Sequence, residues 1–142
     1  MTIPKTSSMA LAWRGNRVGR RKCRSNPIHE KDVADVAAAV LAGGHDGWIY
    51  ELTGPQSLTQ AEQVDIRGTA LARPLSFEEL DDAPVREQMA QFMDPAFINA
   101  LFDLMAATVD KPAPVNANVE QLTGHTSRGY AQWVDDHIAD FA

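Results

Sequence analysis

Residues 27–55, PIHEKDVADVAAAVLAGGHDGWIYELTGP, constrain the fold more than any other stretch, because they read without a gap as strand end, capped helix, turn, strand and turn. Asp32 stands where a helix N-cap belongs. Asp35, three residues on, returns a hydrogen bond and places negative charge at the positive end of the helix dipole. Val33, Val36, Ala37, Val40 and Leu41 follow at i, i+3, i+4, i+7, i+8 spacing, which predicts a helix buried along one stripe. Gly43 and Gly44 supply the left-handed conformation that ends it. After the turn through Asp46 and Gly47, the run Trp48, Ile49, Tyr50, Glu51, Leu52, Thr53 is rich in residues that favour strands and reads as one, closed by Gly54 and Pro55. Two strands joined by a helix form a βαβ unit, with parallel strands and a sheet covered on both faces.

The rest of the chain reads as packing for that unit. Thr59 and Glu62 form a T-x-x-E capping box opening a helix through Val64, Ala70 and Leu71, in which Gly68 costs about 1 kcal/mol relative to alanine. Pro74 must stop it. Leu75, Ser76, Phe77 and Glu78 alternate as a short edge strand beside Glu79, Asp81 and Asp82. Pro84 suits the first turn of a helix with Val85, Met89 and Phe92 on one side. Asp94-Pro95 repeats the cap-then-proline signal and opens an apolar helix carrying Phe97, Ile98, Leu101, Phe102, Leu104 and Met105, hydrophobic on more than one face and so expected between two surfaces. Residues 111–116 form a loop, and a short helix through Val119 and Leu122 ends at Gly124. Thr126 or Ser127 then caps a closing helix with Tyr130, Trp133, Val134, His137, Ile138 and Phe141 on one face.

Charge divides the chain in two. Residues 1–26 carry seven Lys and Arg and no acid, whereas the remaining 116 carry six bases against all 19 acids. Residues 1–25 are expected to form a flexible basic arm, because they show no helical or strand period, and residues 26–142 the folded body. The arm superficially resembles a transit peptide, or a patch for RNA or an acidic partner. An acidic body argues against nucleic acid as the main partner. A hydrophobic content of 44% suits a soluble domain with a core, and no run approaches the 18 apolar residues of a membrane span. Cys23 is the single cysteine, so no internal disulfide forms and the reducing cytoplasm is the simple reading.

The search for chemistry is mostly negative. No G-x-G-x-x-G occurs that would let a backbone approach a pyrophosphate at a helix N-terminus. Gly15 and Gly19 are four apart in the basic arm, and Gly43, Gly44 and Gly47 end a helix rather than begin one. No P-loop is present, and neither Tyr50 nor Tyr130 is followed by lysine four residues later. His29 and Asp32 at i, i+3 lack a third ligand with metal-site spacing. His29, with Pro27 and Ile28 before it, lies at the C-terminal end of a strand, the edge where open α/β sheets bind ligands; it reads either as ligand-facing or as a hydrogen-bonding histidine of the strand–helix junction. His45, His125 and His137 read as turn, turn and helix face. Lys22 and Arg24 favour a thiolate at Cys23, but no paired base is evident. No catalytic residue is assigned.

Pro27-Ile28-His29-Glu30-Lys31-Asp32-Val33-Ala34, then Tyr50-Glu51-Leu52-Thr53-Gly54-Pro55 and Leu58-Thr59-Gln60-Ala61-Glu62, resemble the C-terminal half of the NmrA-like, NAD(P)-binding atypical short-chain dehydrogenases. Val119-Glu120-Gln121-Leu122-Thr123-Gly124, with Tyr130, Trp133 and Val134, is similar to the closing segment of that family. The resemblance covers roughly residues 26–142. It implies an α/β fold, the C-terminal section of a Rossmann-like domain, with a βαβ unit and a helical substrate lobe. It implies an oxidoreductase or epimerase of NAD(P) acting on a small molecule. The family commonly places glycine where Ala72 stands and often lacks the Tyr-x-x-x-Lys dyad. The missing glycine loop makes NAD(P) binding by this chain alone unexpected. The alternatives are a non-enzymatic nucleotide-sensing or regulatory module and a truncated product without independent activity. The uncovered apolar face is expected to drive self-association or to take a partner chain.

Overall fold

The computed structural model describes residues 22–79 and 81–141. Residues 1–21 of the expected basic arm, with Trp13, Gly15 and Gly19, therefore lie outside the described residues. The elements are β1 (Arg24–Ser25), α1 (Glu30–Leu41), β2 (Leu58–Thr59), α2 (Gln60–Ala70), α3 (Asp82–Met89), α4 (Pro95–Ala107), α5 (Asn118–Thr123), α6 (Tyr130–Asp136) and a 3-10 turn (Ile138–Phe141). The result is a helix-rich α/β arrangement in which α1 packs on α5 and α2 on α6.

The sheet differs from the expected parallel pair. Among the described residues it has two strands, β1 and β2, antiparallel with Arg24 opposite Thr59 and Ser25 opposite Leu58. Cys23 is buried, bridges to Val109, and its Sγ–H donates to the Met105 carbonyl at 3.0 Å. Residues 23–25 thus belong to the body and not to an arm, and the Cys23 sulfur acts as a thiol donor.

The run from Trp48 to Thr53 takes no strand partner, and the amides of residues 49–53 find no backbone acceptor among the described residues. What remains of the expected pairing is one bond, from Gly54 N–H to the Asn26 carbonyl at 3.1 Å. The Asn116 amide N–H instead bonds the Thr53 hydroxyl, and the side-chain amides of Asn116 and Asn118 both reach the Glu51 carbonyl. A strand segment needs a neighbouring backbone to form a ladder, and here side chains meet one edge only.

Helix α1 starts earlier than the sequence predicts. His29 is its N-cap, the ring Nδ1 accepting the Lys31 N–H at 3.1 Å. Asp32 is thereby released from capping and is fully buried in a long-range contact. The apolar stripe is also shallower than expected: Val36 is buried, but Val33 and Leu41 are 42% and 86% exposed. Gly43 and Gly44 adopt φ of 113° and 87°, as the helix end requires.

The Thr59–Glu62 capping box is present in full. At the other end of α2 the Arg73 N–H bonds the Gly68 carbonyl and the Ala72 N–H the Thr69 carbonyl, a Schellman turn in which Ala72 takes a left-handed φ of 47°. Gly68 is explained by the same turn: a β-carbon there would stand 3.0 Å from the Arg73 carbonyl oxygen. Leu75 to Glu78 forms no strand, although Phe77 is buried.

Val85 of α3 with Ile98 and Phe102 of α4 form a core cluster, with Met89 packed against it. Asp94 caps α4 through the Ala96 N–H at 2.7 Å. Phe92, Phe97 and Leu104 are exposed, so α4 buries one face rather than two, and Phe92 lies beyond α3. Gly129, not Thr126 or Ser127, is the N-cap of α6. Ser127 is buried, and its loop turns towards α1, as the Arg128 contacts show.

Candidate functional site

The three residues before α1 and the first turns of α6 enclose a cavity of about 240 Å³ lined by Pro27, Ile28, His29, Gly129, Tyr130 and Trp133. The three candidates from the sequence, Pro27, Ile28 and His29, therefore line one concave site. Its second wall, a hundred residues further along, has no local signal. The spacing of Tyr130 and Trp133 marks them as one helix face but cannot say what that face meets.

His29 is 1% exposed. Because Nδ1 accepts the Lys31 amide hydrogen, the ring proton is assigned to Nε2. Nε2 makes no hydrogen bond, and the nearest carboxylate oxygen, Asp136 Oδ2, is 3.4 Å away. A buried N–H without an acceptor carries a cost unless a ligand or water meets it. Asp136 is held below the usual carboxylate range, first by its bond from the Lys31 ammonium. Burial pushes the Tyr130 hydroxyl upward, which Arg67 of α2 partly offsets. Tyr130 therefore stays a neutral donor. Trp133 stacks on Tyr130 at 5.6 Å and on His137 at 4.6 Å, with Phe141 edge-on at 6.0 Å, so the aromatic wall is fixed on both faces.

A second cluster fastens α1 to the loop before α6. The Arg128 backbone N–H donates to Asp32 Oδ2 at 2.8 Å, and its guanidinium bonds Asp32 and, at 2.8 Å, Asp35. His125 Nε2 stands 3.1 Å from the same Asp35 oxygen. Atoms of Asp32, Asp35 and His125 lie within 4.8 Å of one another, as metal ligands would. The guanidinium already occupies both carboxylates, so the chemistry is that of an ion-pair cluster. His29 and Asp32 turn to different partners. His45 bonds the Tyr50 hydroxyl at 2.8 Å.

The described residues do not fit a dinucleotide pyrophosphate. No helix among them begins at closely spaced glycines, and Gly43 and Gly44 lie at the negative end of α1.

No protein-family model matches the chain. It is 36% identical over 117 residues to a (4-alkanoyl-5-oxo-2,5-dihydrofuran-3-yl)methyl phosphate reductase of Streptomyces griseus subsp. griseus, covering 81% of this chain and 42% of the relative. It is 31% identical over 117 residues to an NAD(P)H azoreductase of Xenophilus azovorans, covering 80% of this chain and 41% of the relative. Among solved structures, the triphenylmethane reductase of Citrobacter sp. superposes with a TM-score of 0.68 at 14% identity, over 93% of this chain and 47% of that one. The fold is the C-terminal section of a Rossmann-like, NAD(P)-binding domain. These relatives and structural neighbours are NAD(P)-dependent reductases of NmrA-like type, and the chain matches their C-terminal part, spanning about two fifths of the length of the curated relatives.

Proposed function

We propose that this chain is the substrate-side section of a cytoplasmic NAD(P)-dependent oxidoreductase that acts on a planar, conjugated small molecule. The observation that carries the reading is the pocket itself, with apolar and aromatic walls and a buried His29 N–H that lacks an acceptor. A flat ligand with one carbonyl-like acceptor suits such walls. The names of the relatives point the same way, to a furanone, an azo compound and a triphenylmethane dye. The test is titration with a naphthoquinone followed by amide NMR. Shifts confined to residues 27–29 and 129–133, weakened about tenfold or more by His29→Ala, support the assignment. Shifts elsewhere, or equal binding by His29→Ala, reject it.

The cofactor is NAD(P)H in this reading, held by a nucleotide-binding half and not by this chain. Calorimetry of the purified chain with NADPH is expected to show weak or no binding. Micromolar affinity at one site per chain overturns that. The same half would pair the run 48–53 and cover α1, where Leu41, Trp48 and Ile49 are 86%, 69% and 96% exposed. The share of each relative that lies outside the match, more than half, leaves room for it. A compact monomer by light scattering at high concentration, binding no dye for apolar surface, contradicts this part of the reading.

A further inference from the structure

Two histidines built alike join the walls of the pocket. His137, the C-cap of α6, sets Nδ1 2.8 Å from the Trp133 carbonyl and Nε2 3.1 Å from Glu30 Oε1 on α1. His125, between α5 and α6, sets Nδ1 3.0 Å from the Thr126 carbonyl and Nε2 3.1 Å from Asp35 Oδ2, also on α1. In each ring one nitrogen meets a backbone carbonyl and the other a carboxylate, as a hydrogen bond at His125 and as an ion-pair contact at His137. A neutral imidazole has one N–H and satisfies one such contact, leaving a lone pair against the other oxygen; the imidazolium satisfies both.

We propose that His125 and His137 form a proton-operated clamp that seats α6 and its preceding loop against α1 while both rings are charged and slackens as they lose a proton. The pocket lies between the clamped elements, so its closure follows pH. This inference rests on the pocket reading only for that consequence, and the clamp stands whatever the pocket binds.

Charged groups of both signs face the two rings. Glu30 of α1 faces His137, whose place at the α6 C-terminus adds the negative end of the helix dipole. His29 lies with its ring 6.3 Å from that of His137, and Lys31 is engaged by Asp136. At His125, Asp35 is the facing acid and Arg128, which bonds the same oxygen, opposes a second cation. Arg67 of α2 acts on Tyr130, and α5 contributes no ion pair to either ring among the described residues. Glu30 is held below the usual carboxylate range, first by its own backbone N–H and further by His137. Asp35 is held low first by Arg128, with His125 adding to it.

His29 stands at the same junction, its Nδ1 accepting the Lys31 amide hydrogen and lying 3.4 Å from Glu30 Oε2. A test must therefore isolate the other two rings. Thermal unfolding of the full chain is compared at pH 5.5 and pH 8.0, on either side of the ordinary imidazole value of about 6.5. The native chain is expected to melt about 3–5 °C lower at pH 8.0, and the fall is expected to shrink to about 1 °C or less in H125Q/H137Q. No fall in the native chain, or an equal fall in the double variant, overturns the clamp. If that variant does not fold, nitrogen-15 NMR of the native chain decides. Ring deprotonation accompanied by amide shifts along α1 and α6 upholds the proposal, and titration of the rings without those shifts rejects it.

Discussion

A β-carbon on Gly54 would collide with the Pro27 carbonyl oxygen and stand 2.6 Å from its carbon, so the chain leaving residues 48–53 passes the chain entering α1 at backbone distance. The Gly54 N–H bond to Asn26 fixes the crossing. Both obstructing atoms are backbone and cannot swing aside. Gly54→Ala is expected to cost about 3 kcal/mol or more by urea denaturation, since overpacking must move one of two anchored segments. Gly129→Ala is the control, because its β-carbon would meet the end of the Gln56 side chain at 3.3 Å, which can move away. Similar losses in both variants would show that backbone crowding is not the cause.

Ala72 occupies the left-handed position of the α2 Schellman turn at φ 47°. An L-residue there costs about 1–2 kcal/mol relative to glycine, less the greater entropy that glycine gives the unfolded chain. Ala72→Gly is therefore expected to raise stability by about 0.5–1 kcal/mol. An unchanged or lower urea midpoint would mean that the bonds of the turn hold alanine without strain.

Asp32 has no exposed surface and receives both the backbone and the guanidinium of Arg128. Removing it strands the Arg128 amide and leaves the guanidinium to Asp35 alone, and Asp32→Ala is expected to cost about 2–3 kcal/mol. Asp35 is partly exposed and shares the guanidinium, so Asp35→Ala should cost clearly less. Chemical denaturation of the two single variants gives the order, and the reverse order would place the anchor at Asp35.

Acid should loosen the same junction. Asp35 and Asp136 titrate below their ordinary 3.8, mainly through Arg128 and Lys31, and Glu62 below its ordinary 4.5, mainly through the Thr59 backbone. A carboxyl lowered on folding adds stability that is fully present above its unfolded value and is lost as pH falls through the folded one. Stability should therefore decline from about pH 4.5 downward. The Lys31→Met variant should flatten the part of the acid limb that Asp136 contributes. An acid limb of unchanged shape in that variant would show that the ammonium does not set the Asp136 titration.

The sequence by itself determined the features whose partners lie within one turn of chain. The Thr59–Glu62 box, the Asp94 cap, the glycines that end α1 and the left-handed Gly124 all depend on bonds spanning a few residues. The resemblance carried by residues 27–34 and 50–62 was legible too. Only the tertiary structure decided which residue caps α1. Local rules favour an aspartate there, but Asp32 gains more from Arg128, 96 residues away, and His29 can serve as the cap. It also decided that Pro27, Ile28 and His29 face Tyr130 and Trp133, and that residues 48–53 stay unpaired despite their strand-forming side chains. Propensity can favour an extended backbone, but a ladder forms only where another backbone lies alongside it, and that is fixed by the packing of distant segments.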